Sequence, residues 1–200
     1  MTPPTTSCDT APKTGKVRRA ALAVLVGAGL IVAATPADAA PNGGYAHRTV
    51  TAADGQTFHL RLAAGPVVLP SSGGTVRVAG TGYNRAQGIF LAFCVIPKGV
   101  KVGDPSTYTT RPTPCLGGTH PTTPVSRRIT DADTGGGAPG LTLPYQEGGS
   151  FVTTLENVRP EIADGVVCGR TVDCAVVTRA DYTATDNRLY DQYIPVRFTS

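Results

Sequence analysis

The run Ile89-Phe90-Leu91-Ala92-Phe93-Cys94-Val95-Ile96 is apolar at every position. Successive side chains of a strand point to opposite faces, so a strand made of this run needs cover on both sides. It turns Ile89, Leu91, Phe93 and Val95 into a core and leaves Phe90, Ala92, Cys94 and Ile96 on the outer face. Outward from it, Thr57 to Leu62 alternates Phe58, Leu60 and Leu62 with Thr57, His59 and Arg61, and Thr75 to Ala79 sets Val76 and Val78 against Arg77. Pro66 to Leu69, Ser150 to Val158, Ala175 to Arg179 and Tyr193 to Thr199 read as further short strands. Gly, Pro, Asn and Asp separate them, at spacings suited to a sandwich. The fold class expected is all-β, an antiparallel sandwich of about seven strands.

The 200-residue chain is 40% apolar and 16% charged, with 24 Gly and 17 Pro. Punctuation this heavy argues against a protein of long helices. At the start, Lys16, Arg18 and Arg19 precede the apolar run Ala20 to Ala34 and then Pro36-Ala37-Asp38-Ala39, the order of parts in a secretory signal peptide cut after Ala39. The run is shorter than the roughly 20 residues needed to cross a bilayer, so no membrane span is expected after cleavage. The layout expected is a signal peptide over 1–39, an N-terminal extension over 40–63, and a sandwich over 64–200. Within the sandwich, 97–149 is a long Pro- and Gly-rich excursion with at most a short strand near Val125 to Ile129. The net charge is +4, and after residue 39 there remain 14 basic against 12 acidic side chains. That balance leaves no electrostatic footprint for nucleic acid.

Export decides how the cysteines are read. Cys8 leaves with the signal, and Cys94, Cys115, Cys168 and Cys174 remain. Four cysteines in an oxidising compartment read as two disulfides, with three connectivities open. Spacing favours 94–115 with 168–174, and a 94–174 link is the competing pairing. Neither these spacings nor the scattered His47, His59 and His120 make a zinc site. Ser71 and Ser72 sit in a plain turn with no nucleophile elbow, and His120 sits in a loop. Asp131 and Asp133 share a turn that lacks the later acidic ligand of a calcium loop. No catalytic residue, metal or cofactor is expected.

The stretch from Gly73 to Tyr83 (GGTVRVAGTGY), the strand ending at Cys94, the segment Thr171-Val172-Asp173-Cys174-Ala175-Val176 and the closing Ile194-Pro195-Val196-Arg197-Phe198 together resemble the neocarzinostatin family. Its members are secreted, seven-stranded immunoglobulin-like sandwiches with two disulfides, apoproteins that hold an enediyne antibiotic in a cleft. Val176 to Asp181, with Asp186 to Asp191 beyond, is similar to relatives in actinobacterial surface proteins, some of them appended to haem-binding HtaA modules. The likeness spans roughly residues 64 to 200. It implies a secreted, monomeric, non-catalytic protein that binds a small apolar ligand. Two residues past the first disulfide Cys, where the antibiotic carriers have a Trp, this chain has Ile96.

Two surfaces are candidates for binding. The outer strip of Phe90, Ala92, Cys94 and Ile96 shares its sheet with Ala175, Val177 and Arg179, and is either covered by the 97–149 excursion or open as a cleft. As a cleft it has Phe90 and Ile96 for walls, Val177 for floor and Arg179 to orient a ligand, with a Cys94–Cys115 disulfide fixing one rim. Alternatively, Arg179 pairs with Asp181 or Asp173, and Leu141, Leu143 or Tyr145 fill the space. The second surface is the connection Asp181 to Gln192, where Tyr182 and Tyr190 stand among polar residues, as in a paratope. The first surface implies a carrier of a small apolar ligand. The second implies an adhesion module for a protein or glycan.

Overall fold

The computed structural model describes residues 42–118, 120–132 and 140–199. The expected signal peptide and Asp133 of the Gly-rich turn lie outside the described residues. One sheet joins β1 (Gly44–Thr51), β2 (Thr57–Gly65), β4 (Gly74–Thr81) and β8 (Phe151–Val158) in that order, every pair antiparallel. A second sheet runs β12 (Gln192–Pro195), β11 (Cys174–Ala180), β5 (Ile89–Val95), β6 (Ser126–Ile129), β7 (Thr142–Leu143). Two small pairs complete the architecture: β3 (Val68–Pro70) with β13 (Arg197–Thr199), and β9 (Glu161–Ala163) with β10 (Val166–Val167). The fold is all-β, as expected, and it is antiparallel except where β7 joins β6 and β13 joins β3 in parallel.

The core lies between the two sheets. Ile89, Leu91, Phe93 and Val95 of β5 and Val176 of β11 meet Leu60 and Leu62 of β2, Val76 and Val78 of β4, and Phe151 and Leu155 of β8. Each such side chain contributes roughly 1.5–3 kcal/mol by leaving water. The inward parity read from the sequence is therefore the one adopted.

The 40–63 stretch differs from expectation. It supplies β1 and most of β2, paired from Gly44↔Ala64 to Thr51↔Thr57, so the sandwich starts at Gly44 rather than at residue 64. The reason is that β1 needs little apolar character of its own. Val50 is its one buried residue, and it holds its place through the ladder to β2. With both included, the two main sheets have nine strands instead of about seven.

Cys94 pairs with Cys115 and Cys168 with Cys174. A 94–174 link is excluded by parity: Cys94 faces the outer side of its sheet, and Cys174 faces the inner core. The excursion comes back along β5 at Cys115, where the Val95 amide donates to the Pro114 carbonyl at 3.0 Å and the Leu116 amide to the Phe93 carbonyl at 2.8 Å. Among the described residues, no helix is long and apolar enough to cross a membrane.

Candidate functional site

The outer face of the five-stranded sheet is laid out by strand register. Phe90 sits between Arg128 and Arg179 in one row, and Ala92 lies beside Val177, which lies beside Tyr193, in the next. Cys94, Ala175 and Pro195 make a third row. β5 is apolar on both faces, and β11 turns Ala175, Val177 and Arg179 outward, so the outer face of this strand pair is mixed.

Over the middle row the excursion is the cover. Tyr108 and Cys115 pack with Ala92, Cys94, Ala175, Val177 and Tyr193 in a second buried cluster, and the Tyr108 ring meets Tyr193 edge-on at 4.8 Å. Phe90 is closed off differently. His120 lies 5.9 Å from its ring edge-on and Tyr182 lies 6.2 Å away, while the Arg179 guanidinium sits 4.9 Å from its centroid. Phe90, Val177 and Arg179 are all buried. The sequence left two alternatives for this strip, and here the covered one is realised over Phe90, Ala92, Cys94 and Val177. Of the expected fillers, Tyr145 belongs to the inner core and Leu143 packs against it.

Ile96 is separated from the other three. Beyond the end of β5, it lines an open groove of about 540 Å3 with Val100, Val102, Pro195 and Phe198, and with Asp173 and Arg197 as its charged groups. Tyr182 and Tyr190 also part company. Tyr182 is 51% exposed and stacks under the Arg128 guanidinium at 4.3 Å. Tyr190 is buried in the core, its hydroxyl accepting from Asn84 Nδ2 at 3.2 Å, so it belongs to no exposed tyrosine surface.

Several charged pairings were not read from the sequence. Arg128 clamps the fully buried Asp181, with Nε 2.8 Å and Nη2 2.7 Å from Oδ2. Thr183 adds its amide and hydroxyl to Oδ1. Asp181 is thus engaged by β6 across the sheet, and only the pairing of β6 with β5, set by long-range packing, brings the two together. Asp131 is likewise used structurally, holding Arg85 at 2.6 Å and the Tyr145 amide at 3.0 Å. Burial, followed by the repulsion of Arg111 and Arg188, pulls Arg179 down to about 10, which keeps it charged at neutral pH. Asp191, on the same side as Arg179, is paired with Arg188 at 3.0 Å. Burial pushes its carboxyl up to about 7 against the pull of Arg188, Arg48 and Arg179. Among the described residues, no group of three or more His, Cys, Asp or Glu is placed to hold a metal.

No family model and no curated protein matches the chain. Among solved structures, macromomycin is similar with a TM-score of 0.41 and 18% identity, over 70% of this chain and 99% of that one.

Proposed function

We propose that this is a secreted, non-catalytic binding protein that holds a small apolar ligand at the Ile96 end of the outer face. The observation that carries the reading is the groove itself: about 540 Å3, walled by Ile96, Val100, Val102, Pro195 and Phe198. That volume falls in the roughly 300–1,000 Å3 range of small-molecule sites, and apolar walls with a few charged groups suit such sites. Asp173 and Arg197 are the groups that orient a ligand. One disulfide borders the groove and the other restrains the segment that forms part of its wall. Cys174 lines it, and the Cys94–Cys115 link secures the excursion that carries Val100 and Val102. A groove tied on two sides loses little freedom when it binds, which favours affinity. The disulfides also fit an oxidising, extracellular compartment. For adhesion through the 181–192 connection, Tyr182 is the exposed ring that remains, and no observation favours that reading over the groove.

The test compares Ile96→Asp with Val177→Asp, using a fluorescent apolar probe. Ile96 is only partly buried, so Ile96→Asp folds, and losing its contact lowers probe affinity about tenfold or more. Val177→Asp places a carboxylate in a closed apolar cluster and prevents folding. A folded Ile96→Asp protein that binds the probe as tightly as the parent contradicts the proposal.

A further inference from the structure

We propose a second ligand site, for an acidic polysaccharide built of 1,4-linked uronate units, on the outer face of the four-stranded sheet. Strand register lines up Tyr45 of β1, Ala63 of β2, Ala79 of β4 and Val152 of β8 in one row across that face. Tyr45 is 63% exposed and Val152 47%, and the two alanines between them make a low floor. The result is a shallow apolar channel that crosses the strands, with a space of about 390 Å3 lined by Tyr45, Ala63 and Ala79. Inter-strand steps of roughly 4.8 Å carry the row about 14 Å from end to end.

The flanks of the channel are basic. One row to one side, Arg61 stands between His47 and Thr81, and one row to the other, Arg77 stands between Gly65 and Thr154. Both arginines are exposed, and among the described residues neither enters an ion pair. The remaining outward positions of β1, β2 and β4, namely Thr49, Thr51, Thr57, His59 and Thr75, add no acid. The one carboxylate in the four strands, Glu156 near the end of β8, is engaged by Arg127 of β6 at 3.4 Å. A guanidinium keeps its charge at any working pH and meets a carboxylate with two parallel N–H donors, so the face is complementary to carboxylates. A second copy of this chain laid on the same face would set arginine against arginine, which disfavours a dimer there.

The placement of the arginines selects the shape of the partner. Arg61 and Arg77 lie on adjacent strands and on opposite sides of the row, each two residues from the alanine of its own strand. A 1,4-linked uronate chain in a flat, two-fold ribbon presents the matching pattern: its units repeat at about the strand spacing, and successive carboxylates project from opposite edges. Units seated over Ala63 and Ala79 therefore direct their carboxylates to Arg61 and Arg77. Their C–H faces meet the alanine methyls, a neighbouring unit stacks on the Tyr45 ring, and Thr81 and Thr154 exchange hydrogen bonds with ring hydroxyls. An acidic peptide has the charge without the flat faces, and an anionic bilayer has no repeat that matches the two staggered flanks. The channel belongs to a different sheet from the Ile96 groove, and this site does not rest on the apolar-ligand reading.

The experiment titrates a β-1,4-linked mannuronate tetramer into isotope-labelled protein followed by NMR. The neutral β-1,4-linked mannose tetramer and tetraglutamate are titrated in parallel, and phosphatidylglycerol vesicles are tested by co-sedimentation. The mannuronate tetramer is expected to shift the amides of residues 45–47, 61–63, 77–81 and 152–154, to bind more tightly than the neutral tetramer or tetraglutamate, and to weaken as salt is raised. Arg61→Gln combined with Arg77→Gln, both at exposed positions, is expected to keep the fold and thermal midpoint while lowering affinity for the tetramer about tenfold or more. The proposal is overturned if the mannuronate tetramer leaves those amides unmoved, if the neutral tetramer or tetraglutamate binds as tightly, or if the double variant binds as the parent does. It is also overturned if vesicles carry down the parent but not the double variant, or if the same amides move with protein concentration alone, which would assign the face to a second copy. If the double variant fails to fold, the comparison of the acidic with the neutral tetramer on the parent protein still decides.

Discussion

Asp191 is the residue whose burial has the most direct consequence in solution. Unfolded, its carboxyl titrates near its ordinary 3.8, and folded near 7, because desolvation outweighs the attraction of Arg188, Arg48 and Arg179. Between these values the folded protein keeps a proton that the unfolded chain has released. The stability linked to this group is therefore full below the lower value and is lost as pH rises through the upper one. Urea denaturation of the parent and of Asp191→Asn across pH 4 to 7 is expected to show the parent losing stability relative to the variant as pH rises. A constant difference between the two would contradict this. The sequence did not single out Asp191, since nothing local in Arg188 to Gln192 says that the loop folds beneath Arg48 of a distant strand. Arg179 was legible as an outward residue. The engagement of Asp181 by Arg128 was not, because it depends on β6 lying beside β5.

Strands whose composition alternates were readable, and those held by their neighbours were not. The register of β5 with β11, Phe90 opposite Arg179 and Ala92 opposite Val177, follows from two apolar runs sharing one parity. β1 was missed because its sequence, GYAHRTVT, buries only Val50 and takes its place from the ladder to β2. The cover over the outer face was missed in detail for a related reason. Tyr108 and Cys115 lie in a Pro-rich stretch with no periodicity, and they reach Ala92 and Val177 through the disulfide and the backbone bonds at 114–116. That link closes a 21-residue separation. Replacing Cys94 and Cys115 together by Ala is expected to cost about 3 kcal/mol in urea denaturation, by loss of the restraint on the unfolded chain. An unchanged midpoint and slope would show that the excursion is held by its packing alone.

At the scale of the molecule, the outer face of the five-stranded sheet is divided rather than open. Phe90 is closed in by His120 and Tyr182, Ala92 and Val177 lie under Tyr108 and Cys115, and Ile96 alone of the expected walls borders a groove. One long cleft was a fair reading of an apolar strip four side chains long, but the same strip serves as a second core once the excursion settles on it. The segment that joins β5 to β6 in sequence brings Tyr108 and Cys115 onto the outer face, and the groove that Ile96 lines lies beyond the end of β5. The measurement that tests this most directly is an NMR titration of the isotope-labelled protein with an apolar probe. The account predicts amide shifts concentrated at Ile96, Val100, Arg197 and Phe198, with Phe90 to Ala92 and Val177 to Arg179 unmoved. Shifts centred on Phe90 and Val177 would contradict it, and so would a saturating probe that leaves the Ile96 groove unchanged.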